Sequence, residues 1–366
     1  MLPIYEPVFV GNEEKYVLDC MKTGWISSQG DYIKRFEYSL AEYHGIKHAI
    51  VTSNCTTALH LSLLGLGLGK DCDVLCPDLT FIAPANMIKL SGAYPVLVDI
   101  DQETLTIDIK DMEAKLTPNT RAIIVVHQFG HAAQMDEIMS FAHTHNLRVI
   151  EDNAESIGGF YKDQILGSIG DVATLSFFAN KIITSGEGGA LLTNNDHVAA
   201  RARMLRDHGM NPEIKYDHKD LGYNYRMTNL QAAVGLAQLE KLDQILAHRN
   251  KMRLEFEDAL NDIRQLKIRK FTDWCTPVHW LMTLTAETVE KRNRLMKSLL
   301  EDKIETRPMI NPVHHAHHFR AHYKWSDFPI SSDISARSFH LPSGNNISSK
   351  DIKYIAACIR KFFENE

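Results

Sequence analysis

Five consecutive apolar residues, Ala122-Ile123-Ile124-Val125-Val126, restrict this chain more than any other feature. A run with no polar member cannot present one face to water. It reads as a strand covered on both sides, the habit of parallel sheets flanked by helices. Further strand-length runs lie at 49–52, 73–76, 94–98, 148–150, 172–178 and 190–192. Helical patterns separate several of them: 56–68, a stretch opening at Thr80-Phe81-Ile82-Ala83, and one that follows His127 to His131 and reaches Asn146. Such alternation predicts an α/β chain built on a largely parallel sheet.

Open sheets of this kind place ligands beyond the carboxyl ends of their strands. Two stretches fall there. The strand at 148–150 runs into Glu151-Asp152-Asn153-Ala154-Glu155. Asp152 either keeps a bound pyridine nitrogen protonated or simply caps the next segment. The second stretch, 171–195, reads DVATLSFFANKIITSGEGGALLTNN. It sets one lysine, Lys181, between two apolar runs and ahead of Gly186-Glu187-Gly188-Gly189. An amine held over a cavity loses solvation, and with it part of its proton affinity, so it becomes a nucleophile toward a carbonyl. Pyridoxal phosphate is the aldehyde most often attached this way; a snorkelling surface lysine is the plainer alternative. Ser53-Asn54, after the strand at 49–52, offers helix N-cap chemistry and leaves free N–H groups at Cys55 and Thr56, which suit a phosphate. Gly65-Leu66-Gly67-Leu68-Gly69-Lys70 imitates a nucleotide loop. It follows a helix and lacks the hydroxyl after its lysine, so it reads as helix termination.

A chain of 366 residues has room for two domains. The predicted division is an N-terminal arm and large domain over 1–245 and a smaller C-terminal α+β domain over 246–366. An amphipathic helix expected at 230–247 and a charged continuation to about 260 form the bridge between them. Beyond it come a strand at 277–285, a helix at 287–302, a strand end at 305–307 and a closing helix at 351–363. A formal net charge of -6 argues against broad nucleic-acid binding. No apolar run approaches the roughly 20 residues that span a bilayer, and the opening MLPIYEPVFVGNEE lacks a charged leader. A cytoplasmic protein is the expectation. Six scattered cysteines do not make a disulfide framework. The cluster His314-His315-Ala316-His317-His318 lacks a neighbouring carboxylate pair, so no metal is expected; one histidine meeting an anionic substrate fits better.

The ordered motifs SNCTTALHLS, TFIAPAN, VIEDNAES, GDVATLSFFANKIITSGEGGAL and GYNYRMTNLQAAVGLAQLE resemble the DegT/DnrJ/EryC1/StrS family of pyridoxal-phosphate sugar aminotransferases. Within it they look most like the branch that makes 4-amino-4,6-dideoxy sugars such as perosamine. The resemblance implies aminotransferase fold type I, with a seven-stranded mostly parallel mixed sheet. It implies that Lys181 bonds to the cofactor aldehyde, Asp152 meets the ring nitrogen, Glu155 lies near the ring's 3′-oxygen and Phe81 stacks on the ring. Cys55, Thr56 and Ser176 would cradle the phosphate, joined by Asn224 from a neighbouring subunit, so the expected unit is a homodimer with shared sites. Trp25, Ser27, Arg307 and His314 fall in segments expected near the substrate. The implied reaction moves the amine of L-glutamate to a nucleotide-linked 4-keto-6-deoxy sugar. A smaller keto substrate, a lyase or dehydratase, and a cofactor-binding regulator without catalysis remain alternatives. A dehydrating branch carries histidine in place of Lys181, which argues against that branch here. Cys55 replaces the family's usual glycine, and INPVHHAHHF departs from the aromatic-rich version of the perosamine branch.

Overall fold

The computed structural model describes residues 1–365. Its centre is the expected mixed sheet of seven strands: β1 His48–Thr52, β2 Asp73–Pro77, β3 Tyr94–Val98, β4 Thr120–Val126, β5 Arg148–Asp152, β6 Val172–Ser176 and β7 Gly189–Thr193. Their spatial order is β1-β7-β6-β5-β4-β2-β3. From β3 across to β6 every pairing is parallel; only β7 runs against both its neighbours. The run that first suggested the fold lies in β4, where Ala122 to Val125 have no solvent exposure and Val126 only 4%. Helices Cys55–Gly65, Ala83–Leu90 and Met135–His145 connect successive strands, as right-handed crossovers of parallel sheets require.

The edge strand β3 is not left open. The segment 313–328 folds over it: Val313, Phe319 and Phe328 share a core with Leu97 and Ile88, and the Tyr323 hydroxyl donates to Pro95 O at 3.0 Å. Covering an edge in this way removes a template for unwanted strand pairing.

A second sheet is entirely antiparallel: β8 Leu266–Ile268, β9 Met282–Ala286, β10 Arg307–Pro308 and β11 Ser338–Leu341, in the order β8-β9-β11-β10. Helices Leu242–Leu260, Val289–Glu301 and Ser349–Glu364 pack on it. The last opens with a reciprocal Ser348–Asp351 cap and turns Ile352, Ile355 and Ile359 inward, at the spacing of one helical face.

Two sequence expectations change. The helix expected at 230–247 breaks: one helix ends at Leu239 and the next starts at Leu242. No Gly or Pro marks the break. Leu236, Leu239 and Leu242 are all buried in the same core, so packing sets the bend. The strand expected from residue 277 begins only at Met282. His279 takes a left-handed backbone (φ 52), and Trp280 is turned toward the loop that carries Lys181. Helix Asp31–His44 and strands β8 and β11 had no counterpart in the sequence reading.

Candidate active site

Parallel strands β4, β5 and β6 end on one side of the sheet, and the antiparallel return into β7 brings the chain back across that same edge. The return is closed at its base, where Phe177 N–H donates to Gly188 O at 2.8 Å. Gly188 has φ 156, and a Cβ there would meet Ser185 Oγ at 2.4 Å. At Gly189 a Cβ would lie 2.4 Å from Cys55 N, so only glycine lets β7 press against the start of the Cys55–Gly65 helix.

Lys181 sits on this loop with its side chain 13% exposed. Its Nζ is 3.5 Å from Glu155 Oε1 and 3.8 Å from the ring centroid of Trp280. The other Glu155 oxygen accepts Phe129 N–H at 2.7 Å. Burial pushes the Glu155 carboxyl above its ordinary value; nearby Lys181 pulls the other way.

Adjacent acids on β5 point to opposite faces, as successive strand residues must. Glu151 turns away from the cleft. It meets His127 Nε2 at 3.0 Å and accepts N–H groups from Gly167, Ile169 and Gly170. Burial raises its carboxyl, yet His127 and those donors outweigh the burial, and the net shift is downward. Asp152 faces the cleft. Its Oδ1 accepts Ala154 N–H at 3.0 Å, while among the described residues Oδ2 has no hydrogen-bond donor. Here burial wins, and the carboxyl is raised despite Ala154, Lys181 and His127. Glu151 is therefore satisfied by the protein, and Asp152 is left short of positive charge.

At the helix start, Asn54 Oδ1 caps Thr57 N–H at 2.9 Å. Among the described residues the N–H groups of Cys55 and Thr56 have no such partner, and Thr56 is half-buried beside them. The Cys55 side chain turns inward, its Sγ 4.0 Å from Asp152 Oδ1, instead of blocking the helix end. Burial holds its thiol well above the ordinary value. Ser176 is 8% exposed at the end of β6, its Oγ accepting Phe178 N–H at 3.4 Å.

The remaining sequence candidates make no hydrogen bond or ion pair with Lys181, Asp152 or Glu155. Phe81 is 62% exposed. Trp25 and Ser27 lie exposed on a loop whose two carbonyls are held by buried Asn229, at 2.6 and 2.8 Å. Asn224 is exposed, its Oδ1 accepting from Arg226 Nε. Arg307 is half-buried in β10 opposite His340. His314 is held by its backbone N–H and its Nδ1, which both meet buried Asp78, at 2.9 and 2.7 Å; its Nε2 is buried without a partner among the described residues. His315 stacks on Trp325, and His318 meets Asn86. Among the described residues no three His, Cys, Asp or Glu side chains group around a point that could hold a metal ion, and no helix is long and apolar enough to cross a membrane.

The model of the DegT/DnrJ/EryC1/StrS aminotransferase family matches residues 9–360. The chain belongs to this family. It is 39% identical over 365 residues to GDP-perosamine synthase of Escherichia coli O157:H7, across 100% of this chain and 99% of that one. It is 42% identical over 362 residues to GDP-perosamine synthase of Caulobacter vibrioides, across 98% and 97%. A crystal structure of a DegT/DnrJ/EryC1/StrS aminotransferase from Brucella abortus superimposes with a TM-score of 0.89 at 29% identity, covering 96% of this chain and 95% of that one.

As a member of the DegT/DnrJ/EryC1/StrS family the protein is an aminotransferase dependent on pyridoxal phosphate. Its residues fit that cofactor. A buried acid with one open oxygen suits a protonated ring nitrogen, two free N–H groups at a helix start suit a phosphate, and a confined lysine suits an aldehyde. Sequence reasoning missed Tyr5 and Trp280, which bond the backbone at Lys181 and Asn180, and Arg249, which bonds Trp280 O. No motif marks them, and their contacts span 30 to 176 residues of chain.

Proposed function

We propose that this aminotransferase moves the amino group of L-glutamate to C4 of a nucleotide-linked 4-keto-6-deoxyhexose, giving a 4-amino-4,6-dideoxy sugar nucleotide of the GDP-perosamine kind for surface polysaccharide. One observation carries the chemistry: Lys181, Asp152 and Glu155 are buried together at the end of the sheet, with the unsatisfied acid facing the lysine's cleft. The choice of sugar is supported by full-length similarity to two proteins named GDP-perosamine synthase.

Bound pyridoxal phosphate supplies an electron sink for the bond broken at the donor's Cα. Asp152 keeps the ring nitrogen charged, so that the sink stays strong. The helix start at Cys55 and Thr56, with Ser176, holds the phosphate against its dipole. Lys181 Nζ, once free, removes the proton from the glutamate Cα and in the return half delivers one to the sugar carbon. Glu155 keeps that amine within reach. Trp25, Ser27 and Asn224, all exposed on one protomer, serve a shared site when a second copy covers them. Phe9, Val10, Met21, Trp25 and Ile26 are between 45% and 68% exposed, and a homodimer interface would bury apolar side chains of this kind.

The test is direct. Purified protein, pyridoxal phosphate and L-glutamate are incubated with GDP-, dTDP- and UDP-linked 4-keto-6-deoxy sugars, and 2-oxoglutarate and the mass of the sugar nucleotide are followed. Turnover is expected with the GDP sugar. No 2-oxoglutarate with any of the panel would remove this reading, and turnover with a small keto compound alone would replace it.

A further inference from the structure

Two side chains hold the backbone on either side of Lys181. The indole Nε1 of Trp280 donates to Asn180 O at 2.6 Å. The hydroxyl of Tyr5 donates to Lys181 O at 2.5 Å. These are the carbonyls on either side of the lysine Cα, so together they set the direction in which its side chain leaves. The face of the same indole lies 3.8 Å from Nζ, opposite Glu155. Indole faces attract ammonium groups.

Both supports rest on Arg249. It is fully buried, and its Nη1 donates to His279 O, Trp280 O and Ser343 O at 2.9, 3.1 and 3.2 Å. Its guanidinium carbon is 5.5 Å from the Tyr5 ring centroid. Among the described residues no carboxylate pairs with it, and Nε and Nη2 have no acceptor. A buried cation without an acid is costly, and what Arg249 gains is the joining of three chain segments at one point. Tyr5 arrives from the other side. Its arm is stitched to the second sheet's neighbourhood by Leu2 N–H to Lys303 O, Glu305 N–H to Leu2 O and Ser343 N–H to Ile4 O, at 2.8, 2.9 and 3.0 Å.

We propose that Tyr5, Trp280 and Arg249 are positioning residues for Lys181, and that the Trp280 face with Glu155 forms the resting place of its amine whenever it is not bonded to the cofactor. This rests on the role given to Lys181 above. An amine that leaves and returns in every cycle needs a fixed perch, because a shift of about 1 Å at the reacting atoms can lower a rate by roughly a hundredfold. A helix dipole or a carboxylate alone would fix its charge; the indole and phenol also fix its direction.

The experiment compares Tyr5→Phe, Trp280→Phe and Trp280→Leu with the unaltered chain. Three readings are taken: the rate at which cofactor-free protein gains visible absorbance on adding pyridoxal phosphate, kcat and KM for glutamate, and the thermal midpoint. Tyr5→Phe and Trp280→Phe are expected to slow both capture and kcat by about 3- to 10-fold, and Trp280→Leu, which loses the ring face as well, by about 30- to 100-fold, with KM within about twofold. A lowered midpoint with capture and kcat per folded molecule unchanged would make the trio purely structural and overturn the proposal. Equal losses in Trp280→Phe and Trp280→Leu would overturn the resting-place part. Lys181→Ala serves as the separate control: if it still gains the same absorbance, the reading of Lys181 fails whatever the other variants do.

Discussion

On the sheet side of the cleft the buried charges are carboxylates. Asp152 and Glu155 are 5% and 6% exposed, and burial raises both. Behind the cleft, where the two sheets meet, the buried charges are cations. Arg249 is bound to carbonyls alone, and so is Arg269, which donates to Gln128 O at 2.8 Å and to Thr104 O. Around Arg269 stand His131 and His340, both pushed down to about 3, by burial first and then by neighbouring positive charge. His279 is shifted down in the same way. The two regions differ in the sign of the charge they bury and in what answers it. The arginines bond backbone oxygen only, with Arg249 Nε and Nη2 and Arg269 Nε left without an acceptor among the described residues, and the histidines stay neutral. Asp152 finds one N–H and little else. The acidic side is where a cationic ring belongs; the cationic side is scaffold.

Substitutions can break this contrast, beginning with the largest effect. Lys181→Ala is expected to remove turnover by more than about 10³-fold and to abolish the visible absorbance of bound cofactor, both read on purified protein. Asp152→Asn is expected to lower kcat by about 10²-fold. Because that acid is unsatisfied without a ring nitrogen, the same change should raise the thermal midpoint of cofactor-free protein while weakening cofactor binding; two effects of the same sign would contradict the contrast. On the scaffold side, Arg269→Met leaves the carbonyls of Gln128 and Thr104 unpaired and should lower unfolding free energy by about 2–4 kcal/mol in denaturant titrations.

Acid should act on the two regions in opposite directions. The unfolded chain protonates its histidines near 6.5, whereas His131 and His340 stay neutral to about 3 when folded. Between those values the unfolded state binds more protons, so stability falls as pH drops, by up to about 1.4 kcal/mol per unit for each histidine. The raised carboxyls of Asp152 and Glu155 bind protons more readily when folded, which opposes this from their raised values down to the ordinary carboxylate range. Midpoints measured from pH 7.5 to 5.5 should therefore decline, and His340→Gln should flatten the slope. The smallest effect is expected away from both regions: Thr228→Ala removes the reciprocal cap with Gln231 and should cost about 1 kcal/mol, with turnover unchanged per folded molecule.

Much of the sheet was legible because its signals are local. Tyr94–Val98 matches the expected strand end to end, and Asp152 and Lys181 stand out because an acid after a buried strand and a lysine before a glycine-rich return are readable from a few neighbours. The break at Glu240 and Lys241 was not readable, since the apolar pattern runs straight through it and only packing bends the chain. Strands of three and four residues, such as Leu266–Ile268 and Ser338–Leu341, are too short for a period to show. His314 was expected to face substrate; its partner Asp78 lies 236 residues away, and no local signal couples them.

The N-terminal arm has a length as well as a sequence. Leu2 is pinned to Ile304, and the carbonyl of Ile4 to Ser343, so the position of the phenol at residue 5 is counted off from fixed pegs. One codon gained or lost between those pegs would put a different side chain in the phenol's place, and the defect would surface 176 positions downstream, at the lysine.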